Sequence, residues 1–112
     1  MGKRKQHGIP EQVMKQADAI VQDFNKTFVK DPNRYFITRY KGAYLYIDRM
    51  DYDFVSHVCR LKYTDSMDKW EFAIFKYSDE RYDADEWLFP GSGHVDGTVA
   101  GALKAGLQAY PD

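Results

Sequence analysis

The chain of 112 residues carries 16 Lys and Arg against 17 Asp and Glu, a net charge of −1, with 44% apolar and 29% charged residues. This balance argues against a strongly nucleic-acid-binding domain, which would show a clear basic excess. A single cysteine, Cys59, excludes an intrachain disulfide framework. No apolar run approaches the ~18 residues of a membrane span, and no apolar stretch of a signal peptide opens the chain. A cytoplasmic location, away from any membrane, is the expectation.

Residues 1–8, MGKRKQHG, hold three basic side chains and His7 ahead of any apolar pattern. They read as a disordered basic tail, leaving 9–112 as one domain. A helix follows. Val13, Ala17, Ile20, Phe24 and Phe28 recur at steps of four, three, four and four, with Met14 and Val21 widening the stripe. Pro10 suits its first turn, and Pro32 disfavours helical geometry at Asp31.

The period then changes. RYFITRY, AYLYIDR, HVCRLKY and KWEFAIFKY are short, aromatic and β-branched, with Lys41-Gly42 and the polar TDSMD of 64–68 between them. These are hairpin signals. They predict an antiparallel meander of four strands, with room for a short fifth around Trp87 to Phe89. Strict alternation puts His57, Cys59, Leu61 and Tyr63 on one face of the third strand, and Val58, Arg60 and Lys62 on the other. The second strand sets Leu45 and Ile47 against Tyr44 and Tyr46. The last segment, HVDGTVAGALKAGLQAY, reads as a C-terminal helix capped by Asp96 and ended by Pro111. Gly97, Gly101, Ala105 and Ala109 form a small-residue ridge along it, for which the N-terminal helix with Phe24 and Phe28 is the expected neighbour. The fold class is therefore α+β, with both helices packed on one face of the meander.

The stretches KWEFAIFKYSDERYD, EWLFPG and VDGTVAGALKAGLQAYP resemble small bacterial and archaeal proteins of unknown function, over roughly Tyr44 to Pro111. The layout of helix, meander and C-terminal helix is similar too. The resemblance implies no activity and supplies no catalytic residue.

Four constellations could carry chemistry. GSGHVDGT precedes a helix, but it lacks the lysine of a phosphate loop and misses the dinucleotide spacing, and Asp96 would repel a phosphate. Asp79, Glu80, Asp83, Asp85 and Glu86 lack the glycine and spacing of a calcium loop and read as a solvated turn. Cys59 sits among apolar residues as a buried thiol does. His7, His57 and His94 are too scattered for zinc. No cofactor and no metal is expected. The fourth is the sheet face of Tyr44, Tyr46, Arg60 and Lys62, with Arg39, Trp70 or Phe72 as neighbours. Tyrosine and arginine dominate protein-binding hot spots. The expectation is a non-enzymatic interaction module that uses this aromatic and basic face for a protein partner or self-association, with nucleic acid disfavoured. The alternative is a small-molecule-binding protein or enzyme, with a pocket between sheet and helices where His57, Cys59 and His94 converge.

Overall fold

The computed structural model describes residues 8–111; the basic stretch 1–7 and Asp112 lie outside them. Helix α1 spans Glu11–Phe28. Strands β1 (Arg34–Lys41), β2 (Tyr44–Asp51), β3 (Phe54–Lys62), β4 (Glu71–Lys76) and β5 (Arg81–Asp83) follow. They form one antiparallel sheet in the order β1-β2-β3-β4-β5. Helix α2 spans Val99–Ala109, after a single 3-10 turn at Ser92–His94. This is the α+β architecture that the periodicities predict, with a helix at each end of the meander.

Both helices bury their apolar stripes against the same side of the sheet. Ala17, Val21 and Phe24 of α1 and Val99, Ala102, Leu103 and Ala105 of α2 share one core with Phe36, Leu45, Ile47, Cys59, Leu61, Phe72 and Ile74. Removal of such large apolar groups from water is the main force holding the layers together, at about 25 cal/mol per Å². Polar contacts then fix the position of α1. The Asn25 side-chain amide donates to Phe36 O and accepts from Phe36 N, each at 2.9 Å. It occupies the backbone groups that edge strand β1 would otherwise leave open to another strand. Nearby, Thr38 and Tyr40 both donate to the Asp18 carboxylate, at 2.7 and 2.6 Å.

The fifth strand is not at Trp87–Phe89. It forms at Arg81–Asp83, where Tyr82 pairs with Phe75. The Trp87 and Phe89 rings instead lie 6.4 and 5.9 Å from Phe72, so this segment caps the core as a loop.

Strict alternation also fails in β3. Ile47 pairs with Cys59, but Asp48 pairs with His57, so Val58 is an extra residue opposite β2. Such a bulge turns the strand by one residue. Val58 therefore joins Cys59 and Leu61 in the core, and both Val58 and Cys59 are buried. His57 moves to the opposite face, beside Arg60 and Lys62. The predicted grouping of His57 with Cys59, and of Val58 with Arg60, is thus corrected.

The C-terminal helix starts later than the sequence pattern implies. Thr98, not Asp96, is its N-cap and accepts from Gly101 N at 2.9 Å. Asp96 instead supports the cap, accepting from Thr98 N and Oγ1 at 3.0 and 2.6 Å. Those bonds from Thr98 hold its carboxyl below the usual range. Gly97 stands outside the helix at φ +89°, where a Cβ would come 2.4 Å from Asp68 O. Gly101 does pack closely, but against the loop before the helix. A Cβ there would lie 2.2 Å from Asp96 Oδ1 and 2.5 Å from His94 O. Gly106 faces Val58 Cγ1, at 2.6 Å by the same construction. The close neighbours of these glycines are therefore the β3–β4 connection, the loop before the helix and β3, rather than Phe24 and Phe28.

Candidate functional site

The helices cover one side of the sheet, and among the described residues none packs on the other. Alternation along β2 places Tyr44, Tyr46 and Asp48 on this open face. Register sets Lys41 and Lys62 on either side of Tyr44, and Arg39 and Arg60 on either side of Tyr46. The four residues singled out from sequence, Tyr44, Tyr46, Arg60 and Lys62, thus share one contiguous surface. Of the suggested neighbours, Arg39 belongs to it. Trp70 and Phe72 lie in the core.

Rings and guanidinium groups interleave here. Arg39 sits over Tyr46, with Cζ 4.3 Å from the ring centroid. Arg60 lies between two rings, 4.5 Å from the Tyr44 centroid and 5.3 Å from that of Tyr82. Tyr82 in turn packs edge-on against Tyr46 at 5.4 Å and Phe75 at 4.9 Å. Each guanidinium–ring contact is worth about 0.5–1 kcal/mol at an exposed position. Together they hold the arginines in place without occupying their N–H donors.

Asp48 is the unexpected member. It is 2% exposed, although it belongs to the uncovered face. Arg39 donates to it through Nε at 3.0 Å and Nη2 at 3.3 Å, and His57 Nδ1 lies 3.1 Å from Oδ1. A carboxylate only accepts, so the imidazole carries a proton on Nδ1 and donates it to Asp48. The bond to Asp48 is the main reason the Arg39 guanidinium is held above its ordinary value. The Tyr82 phenol is pushed up, first by burial and then by the Asp48 charge. These groups form an open-sided bowl of about 550 Å³, lined by Arg39, Tyr46, His57, Phe75, Tyr77 and Tyr82, with Lys41 and Glu80 at its rim.

His57, Cys59 and His94 do not converge. His57 lines this bowl, whereas Cys59 is buried in the core under α2. Burial pushes its thiol well up, with the Asp48 charge adding to the effect. His94 Nε2 lies 3.0 Å from Gln108 Oε1 on the outer side of α2. The acidic run folds around a cation. Lys76 Nζ is 3.1 Å from Glu86 and 3.7 Å from both Asp79 and Asp83. Among the described residues no three His, Cys, Asp or Glu side chains are grouped to hold a metal ion. No helix there is long and apolar enough to cross a membrane.

Sequence reasoning missed Asp48, His57 and Tyr82 as members of the face. For His57 the signal was present in the adjacent apolar pair Val58-Cys59, which breaks the period of two. For Asp48 it was a lone carboxylate in YLYIDR, in register with two basic strands. No family model, curated protein or solved structure gives a significant match to the chain.

Proposed function

We propose that this protein is a small non-enzymatic interaction module, working in the cytoplasm, that binds a protein partner through its open sheet face. The observation that carries this reading is the gathering of Tyr44, Tyr46, Tyr82, Arg39 and Arg60 on a helix-free surface, with the arginines held by ring faces. Aromatic and arginine side chains supply most of the binding energy in protein interfaces, and rings that hold an arginine in place reduce the entropy lost on docking. Purification from native extract with wild type and with Arg60→Ala/Lys62→Ala tests it. One polypeptide retained by the wild type and lost from the double variant is the expected result. For self-association the equivalent result is a slower-sedimenting double variant. Identical companions and identical sedimentation for the two proteins would overturn the reading.

A second reading rests on the Asp48–His57 pair. A buried carboxylate that fixes an imidazole at the wall of a 550 Å³ bowl is also how a small-molecule site is assembled. A metabolite that travels with the wild type and is lost on His57→Gln, with the polypeptide companions unchanged, would favour it.

A further inference from the structure

The cations of the open face are unequally engaged. Arg39 is bound to Asp48. Arg60, Lys41 and Lys62 form no ion pair or side-chain hydrogen bond among the described residues; the Arg60 guanidinium lies against the Tyr44 and Tyr82 rings. Arg34 and Arg81, by contrast, are ion-paired, with Asp51 at 2.8 Å and with Asp83 at 3.5 Å. A guanidinium clamped between rings, with its donors unused, is prepared for an anion.

Resting on the binding role proposed above, we infer that the occupant of this face is an acidic polypeptide segment, with Arg60 receiving one carboxylate and Lys62 the next. The spacing fits. Arg60 and Lys62 are alternate residues of one strand, ~6.6–6.8 Å apart along it. An extended segment lying along β3 repeats its own side chains at the same interval. Its carboxylates meet Arg60 and Lys62 in register, while its apolar groups settle on Tyr44, Tyr46 and Tyr82. A nucleic-acid strand is a poorer match. Asp48 already neutralises Arg39, and Glu71 and Glu80 border the surface, so the cations form a short ladder rather than a track for a phosphate backbone.

The test follows backbone amide shifts of the labelled protein at low salt. The probes are the acidic copolymer poly(Glu,Tyr), the basic copolymer poly(Lys,Tyr) and an oligothymidylate. The expected result is that poly(Glu,Tyr) alone shifts the amides of Tyr44, Tyr46, Arg60 and Lys62. Added salt should weaken this binding. Arg60→Gln should weaken it about tenfold or more, with the spectrum unchanged away from β3. If poly(Lys,Tyr) shifts these amides and poly(Glu,Tyr) does not, the acidic partner falls while the binding face stands. If neither does, both fall. Tighter binding of oligothymidylate at these amides overturns the inference in favour of nucleic acid. Unchanged copolymer affinity in Arg60→Gln removes Arg60 as the anchor and overturns it as stated.

Discussion

His57 Nδ1 lies 3.1 Å from Asp48 Oδ1, across the one place where the β2–β3 register slips. The contact exists because the bulge brings His57 opposite Asp48. Arg39 completes the environment from the other neighbouring strand. A buried carboxylate needs such partners, since an unpaired one would be strongly destabilising. Asp48→Asn should therefore lower stability by about 1–3 kcal/mol. His57→Gln, at a half-exposed position, should cost about 1 kcal/mol or less. Denaturant melts of both variants and of the double variant measure the coupling. A stable Asp48→Asn protein would show that the pair contributes nothing.

The glycines of α2 make a second test, because helix propensity and packing predict opposite signs. Alanine would gain about 1 kcal/mol at a free helical site. At Gly101 the added methyl meets the backbone oxygen of His94, which cannot move without disturbing the cap. Gly101→Ala should thus destabilise by about 1–3 kcal/mol. At Gly106 the obstacle is a single methyl of Val58. Gly106→Ala should cost less, and Val58→Ala should relieve it, giving a favourable coupling in a double-mutant cycle.

Much of this organisation is legible in the sequence. The four-three-four spacing of α1 and the alternation of Tyr44 and Tyr46 with Leu45 and Ile47 depend only on local geometry, and the structure keeps both. The Tyr46–Arg60 pairing on a shared face follows from that alternation. Other features do not depend on local geometry. The adjacent apolar pair Val58-Cys59 marks a break in the β3 period, but the alignment of β2 with β3 decides that the break is a bulge that turns His57 outward. Gly101 illustrates the same limit: its small size is visible in sequence, while its neighbour is decided by the path of residues 91–98. Asp48 shows no local sign of its burial, because its two donors come from different strands.

Burial is the main cause that raises the Tyr40 phenol, with the Asp18 hydrogen bond and charge adding to it. The unfolded chain releases this proton near pH ~10, while the folded chain keeps it. Between those limits the native state binds more protons, so stability falls as pH rises above about 10. Tyr40→Phe should flatten that alkaline slope while lowering stability near neutrality by about 0.5–1.5 kcal/mol for the lost hydrogen bond. Melts from about pH 8 to about pH 11 compare the two slopes. Equal slopes would assign the alkaline loss to other groups.

Cys59 should behave as a packing group. Its thiol is fully buried and pushed up by that burial. A thiol-reactive dye should label it only as the protein unfolds, at a rate that tracks global opening in denaturant. Cys59→Ala should lower stability by about 1–2 kcal/mol through the space it leaves. Binding at the open face should persist, because the side chain points the other way. Rapid labelling of the native protein would contradict this placement.

The bulge gives β3 two parities. Before Val58 the odd-numbered residues Val55 and His57 look outward; beyond it the even-numbered Arg60 and Lys62 do. Deleting that one valine would restore plain alternation, with His57, Arg60 and Lys62 still outward and Cys59 and Leu61 still in the core. Keeping the valine in a strand without the bulge would instead swap half the strand: either His57 would enter the core or Arg60 and Lys62 would. Strand length and bulge are therefore matched, and a related chain one residue shorter here, with no bulge, would keep the fold and the surface together.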